Sequence, residues 1–92
     1  MINLSFMAGK LVNQAISEVK SSHRKMSMAE VLIGVGVVGS DSALSWIRNG
    51  QTKDLRRYLP VMYEVTKLLP PPRRDYYRLR MFEIAVMEFR NQ

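Results

Sequence analysis

The sequence predicts a small all-α domain of five helices. Three observations carry that expectation. Apolar residues recur at three- and four-residue steps through most of the chain. Serine, asparagine, glycine and proline stand where such segments begin and end. The length of 92 residues, 47% apolar and 24% charged, suits one globular domain rather than two domains or a disordered chain.

In the first helix Leu4, Met7, Ala8, Leu11, Val12, Ala15, Ile16 and Val19 form one apolar face, with Lys10, Asn13, Gln14, Ser17, Glu18 and Lys20 opposite. Ser21, Ser22, His23, Arg24 and Lys25 break the pattern and read as a connection, His23 as a surface residue. The second helix opens on a capping box, Ser27 followed by Glu30: the serine oxygen accepts an orphan backbone N–H and the glutamate reaches back to the cap. Met28, Val31, Leu32 and Val35 are its expected buried positions, and Gly34, Gly36 and Gly39 end it.

Ser40 and Asp41 suit the N-cap of a short third helix. Its apolar face is Ala43, Leu44, Trp46 and Ile47, and the pair Asn49 and Gly50 stops it. One irregular turn is expected between Gln51 and Leu59, with Leu55 and Tyr58 inward. Pro60 suits the first turn of a fourth helix, lined inside by Val61, Met62, Val65, Leu68 and Leu69. Pro70, Pro71 and Pro72 read as a stop and a stiff extended spacer before a last helix from about Arg73 to Arg90.

Composition narrows the function. The absence of cysteine excludes disulfides and thiolate metal sites, and the single histidine has no acidic cluster around it in sequence. Neither a cofactor nor a small-molecule substrate is expected. An enzyme is not expected either, because no nucleophile has a base near it in sequence. No apolar run reaches the length of a membrane span, and no secretory signal opens the chain, so a cytoplasmic protein is expected. Fourteen Lys and Arg against eight Asp and Glu leave a charge of +6, which attracts polyanions, nucleic acid foremost. Gly34, Gly36 and Gly39 also spell the G-x-G-x-x-G phosphate-binding fingerprint. That motif works only between a strand and a helix of a parallel sheet, and nothing else in the chain supplies a second parallel strand.

The informative stretch runs from Ser27 to Gly50: a capped helix, a glycine-containing turn, then a short amphipathic helix. A short helix braced against its predecessor can lay its polar face in the major groove of DNA. Small hydrogen-bonding residues at its exposed start, here Ser40, Asp41, Ser42 and Ser45, fit that use. The same pattern also fits an ordinary surface helix with Trp46 plugging the core. The segment Ala43-Leu44-Ser45-Trp46-Ile47-Arg48-Asn49-Gly50 resembles the end of the recognition helix in Cro- and lambda-repressor-type helix-turn-helix domains. Ala29 stands where such domains keep a small residue for helix–helix contact, and Leu59-Pro60 resembles the start of their next helix. The run from Gly34 to Gly39 departs from the family, being longer and richer in glycine than its turn.

The resemblance implies a helix-turn-helix domain over residues 1–69 that binds double-stranded DNA. It implies base contacts from Ser40, Ser42, Ser45, Arg48 and Asn49, and places Asp41 on the same face. Since a carboxylate repels phosphates, Asp41 either accepts from a cytosine amino group or, the favoured reading, caps the helix. Stand-alone domains of this kind resemble phage and plasmid transcriptional regulators, chiefly repressors. Arg24 and Lys25 before the motif, and Lys53, Arg56 and Arg57 after it, flank the recognition helix where phosphate clamps lie.

Residues 73–92 form a last helix that packs on the core, a partner, or both. Tyr76, Leu79, Phe82, Val86 and Phe89 form one stripe at heptad-like spacing; Tyr77, Met81, Ile84 and Ala85 form a second. One stripe suffices to dock on a small core, so two imply a homodimer through residues 76–89, with Arg73, Arg74, Arg78, Arg80 and Arg90 solvated. A helix wrapped deeply in its own domain is the other reading. Against DNA binding as a whole stands a helical protein-binding adaptor, using the apolar surface that seven methionines supply.

Overall fold

Asn3 starts the first helix: its side-chain oxygen accepts the Phe6 N–H at 3.0 Å, and α1 runs Leu4–Ser22. The computed structural model describes residues 3–91. The outermost positions of the ranges expected from sequence, 1–2 and 92, lie outside the described residues. α1 buries Ala8, Leu11, Val12, Ala15, Ile16 and Val19, as its periodicity requires, and Gly9 with them. It runs on through Ser21 and Ser22, which were expected in the connection. Their hydroxyls donate to the carbonyls of Glu18 and Val19, three residues back, at 2.7 and 3.3 Å.

In α2, Met28–Gly34, the Ser27 hydroxyl accepts the Glu30 N–H at 3.3 Å, the serine half of the expected capping box. Met28 and Leu32 are buried and Val31 is partly so, but Val35 is exposed, against expectation. The reason is the helix stop. Gly36 N–H reaches Ile33 O at 3.0 Å and Val37 N–H reaches Leu32 O at 3.1 Å, around Gly36 at φ +82°. The chain reverses there, and Val38 enters the core where Val35 was expected. The glycine run is a turn, with no strand among the described residues.

The next helix, α3, is Asp41–Arg48, and it ends by the same device. Gly50, at φ +70°, donates to Ile47 O at 3.1 Å, and Gln51 N–H to Trp46 O at 2.8 Å. The segment beyond is pinned by the fully buried Tyr58, whose hydroxyl donates to Thr52 O at 2.7 Å. Leu55 is buried in a 3₁₀ turn, Leu55–Arg57, which runs directly into α4, Tyr58–Thr66. Pro60 therefore lies in the first turn of α4, where its missing N–H costs nothing.

The last helix, α5, is Pro71–Arg90. Pro71 and Pro72 open it rather than forming a spacer, and only Pro70 is extended, at φ −63° and ψ 153°. Proline's fixed φ is already helical, and the first-turn N–H groups have no partner to lose.

α1 packs against α3, α4 and α5. Val12, Ile16 and Val19 meet Leu32, Tyr58, Val61, Met62 and Val65, all fully buried, and Tyr77, Met81 and Ile84 of α5 join this same core. Three α5 arginines expected to be solvated are tied into the fold instead. Arg73 forks onto Glu18 at 2.8 and 2.9 Å, where Tyr77 also donates. Arg74 donates to the carbonyls of Thr66, Lys67 and Leu69, satisfying the open end of α4. Arg78 donates to the buried Thr66 hydroxyl at 2.9 Å and covers the Tyr63 ring at 4.3 Å.

Candidate nucleic-acid interface

α3 buries two side chains, with Ala43 packed partly buried beside them. Leu44 and Ile47, three residues apart on one face, are buried, each burial favouring the docked helix by roughly 1.5–3 kcal/mol. Trp46, expected to anchor this helix from within, does not do so: it is 55% exposed. Successive residues step about 100° around a helix, so an inward ridge through Leu44 and Ile47 leaves Trp46 on the far side with Ser42. Ser42, Ser45, Trp46 and Asn49 are all exposed and form the outward ridge. Asn49 Nδ2 donates to Ser45 Oγ at 3.4 Å along it.

The ends of α3 have other tasks. The Ser40 hydroxyl accepts the Ala43 N–H at 3.1 Å, so Ser40 is the cap expected of Asp41. Asp41 is instead the exposed first residue of the helix, where a carboxylate is favoured by the helix dipole. Arg48 Nε donates to Asn13 Oδ1 at 2.8 Å, joining the end of α3 to α1 rather than standing on the serine ridge. Ala29 of α2 lies with Leu44, Ser45 and Arg48 along one shallow groove, the small residue at that helix contact.

One positioning contact escaped the sequence reading. A Cβ on Gly9 would fall 2.5 Å from Ile47 O, and a Cβ on Gly50 would fall 2.6 Å from Phe6 Cα. The backbones of α1 and the α3 terminus touch at these glycines. The available signal was the isolated glycine inside the α1 pattern, a residue that costs a helix about 1 kcal/mol against alanine where no packing contact requires it.

The expected phosphate clamps divide into two groups. Arg24 and Lys25, in the turn after α1, and Lys53 and Arg57, beyond α3, are exposed and carry no ion pair among the described residues. Arg56 instead forks onto Asp54 at 3.0 and 3.2 Å. These hydrogen bonds hold the Asp54 carboxyl below its usual range. Arg57 shares a surface groove with Trp46, Gln51 and Thr52.

On α5 the two stripes part company. Tyr77, Met81 and Ile84 are buried, whereas Leu79, Phe82 and Phe89 are 61%, 63% and 76% exposed, with Tyr76 and Val86 beside them. Among the described residues no helix is long and apolar enough to cross a membrane, and no group of three or more His, Asp or Glu is placed to hold a metal ion. Comparison with protein-family models, with curated proteins and with solved structures finds no match.

Proposed function

We propose that the protein is a cytoplasmic transcriptional regulator, a repressor of helix-turn-helix type, that binds double-stranded DNA as a homodimer through the outward ridge of α3. The observation that carries this reading is the ridge itself. Leu44 and Ile47 turn inward, which leaves Ser42, Ser45, Trp46 and Asn49 in solvent, with Arg57, which makes no ion pair among the described residues, in the groove beside Trp46. The major groove, about 12 Å wide, admits an α-helix, and hydroxyl and amide side chains hydrogen-bond to base edges there. Arg24, Lys25, Lys53 and Arg57 serve as phosphate clamps, and Arg56 contributes less because Asp54 already neutralises it. Ser40 and Arg48 act at the ends of the helix, chiefly by holding it in place.

The turn between α2 and α3, residues 35–40, exceeds the about three to four residues usual for this motif. Its Schellman stop and the burial of Val38 keep it ordered. The exposed stripe on α5 supports the dimer, since each large apolar side chain gains roughly 1.5–3 kcal/mol on leaving water. A two-fold pair would set two copies of α3 in successive major grooves, about 34 Å apart.

Titration of a labelled duplex enriched from a random pool tests the reading. Affinity is expected to fall steeply with salt, by about 0.9 in log–log slope per phosphate neutralised. Ser42→Ala and Ser45→Ala are expected to blur sequence preference, and Arg57→Ala to weaken all sequences alike. A protein adaptor that used the α5 stripe alone would show no duplex binding at physiological salt, and that outcome refutes the proposal.

A further inference from the structure

We infer that Trp46 is a base-reading residue, its indole packing against thymine methyl groups in the major groove beside the serine ridge. The inference rests on the reading that α3 enters that groove, and it names what the helix recognises there. Leu44, Ile47 and Val38 close the core beneath α3, while the indole stands 55% exposed at the edge of two grooves, one lined by Gln51, Thr52 and Arg57 and one that also takes in Val37, Ala43 and Pro60. It lies one turn after Ser42 and on the same outward side, so whatever Ser42 meets, Trp46 meets next.

The surroundings of the indole select its occupant. Arg57 lines the same groove and makes no ion pair among the described residues, because the nearby Asp54 carboxylate is taken by Arg56. Thr52 and Gln51 supply further polar edges. A free cation beside an exposed aromatic ring favours a partner that is anionic at its rim and apolar within reach of the ring. An apolar protein surface would leave Arg57 desolvated and unpaired, at a cost. Duplex DNA offers both features: phosphates at the groove edge, and the C5-methyl of thymine as the one apolar group on its floor.

Trp46 is the sole tryptophan of the chain, so its emission reports this contact without ambiguity. The full-length protein is titrated with the duplex enriched from a random pool, and with versions in which single thymines are replaced by deoxyuridine, which lacks only the methyl. The expected result is a change in Trp46 emission at saturation, together with an affinity loss of about fourfold for removal of a contacted methyl. Trp46→Ala, checked for unchanged helical circular dichroism, is expected to bind the enriched duplex about tenfold more weakly and to ignore the thymine-to-uracil change. Trp46→Phe is expected to retain part of the methyl preference.

Duplex binding with unchanged emission, and equal affinity of Trp46→Ala, overturns this inference while leaving the DNA reading intact. Weakened binding by Trp46→Ala with no methyl dependence overturns the thymine contact. Failure to bind any duplex at low salt overturns the DNA reading and this inference together.

Discussion

Alanine at the glycine contact between α1 and α3 puts the positioning of the candidate helix to a stability test. In a helix interior, replacing glycine by alanine ordinarily gains about 1 kcal/mol. At Gly9 the new Cβ would lie 2.5 Å from Ile47 O and 2.6 Å from Gly50 N, both backbone atoms that cannot rotate aside. Overpacking of this kind costs about 1–3 kcal/mol or more, and rigid neighbours place Gly9→Ala at the upper end, for a net loss of about 2 kcal/mol. At Gly50 the left-handed φ of +70° adds about 1–2 kcal/mol to a contact of 2.6 Å with Phe6 Cα, for a loss of about 4 kcal/mol.

Two other glycines serve as controls. Gly36 has φ +82° but nothing within 4 Å of its Cβ position, so alanine there loses only the backbone cost of about 1–2 kcal/mol. Gly34 closes α2 with open space around it, so Gly34→Ala is expected to be neutral or to gain up to about 1 kcal/mol. Thermal unfolding followed by helical circular dichroism reads these as about 4–8 °C per kcal/mol for a domain of this size. The expected order of Tm is Gly34→Ala at or above wild type, then Gly36→Ala, then Gly50→Ala lowest, with Gly9→Ala below wild type. A Gly9→Ala protein as stable as wild type, or more stable, would refute the close crossing of α1 and α3.

Two further outcomes follow from charge and exposure. Glu18 is held below its ordinary carboxylate range by the hydrogen bonds from Arg73, with the Tyr77 hydroxyl assisting against partial desolvation. A folded value below the unfolded one means the contribution is complete above the ordinary glutamate value of 4.5 and is lost as pH falls through the lowered value. The pair is partly exposed, so solvent screens it and its contribution is small; Glu18→Gln should lower stability slightly at pH 7 and flatten its decline on acidification, as measured by urea unfolding. Leu79→Glu combined with Phe82→Glu should yield a folded monomer by sedimentation, because both side chains already lie in solvent; a wild-type protein that sediments as a monomer at micromolar concentration removes the dimer.

The parts of the fold that periodicity controls were legible in advance. The α1 and α4 faces, the inward Leu55 and Tyr58, and the split of α5 into two stripes all follow from apolar spacing, because a helix with a long apolar face has only one way to bury it. The misreadings fall where local pattern and tertiary docking part. α3 is short enough to insert only two residues, and Trp46 falls outside that sector although it is as apolar as its neighbours. Val35 reads as one more buried position of α2, but the glycine stop turns the chain before it and promotes Val38. Pro71 and Pro72 look like breakers yet sit where a helix tolerates them.

The candidate site was legible by residue type but not by role. Ser42, Ser45 and Asn49 stand exposed as expected, whereas Ser40 acts as a cap and Arg48 bonds to a residue of α1, a long-range partner that no local pattern reveals. The arginines of α5 likewise find α4 carbonyls and Glu18 across the fold. Their engagement leaves the cations around α3 among those most available to a polyanion.

Amide and side-chain NMR shifts on addition of the enriched duplex map the surface of the protein that meets DNA. With the outward ridge of α3 in a DNA groove, the largest changes are expected at Ser42, Ser45, the Trp46 indole and the Asn49 side-chain amide, with smaller ones at Lys53 and Arg57. Shifts confined to the α5 stripe, with α3 unperturbed at saturation, would contradict that placement.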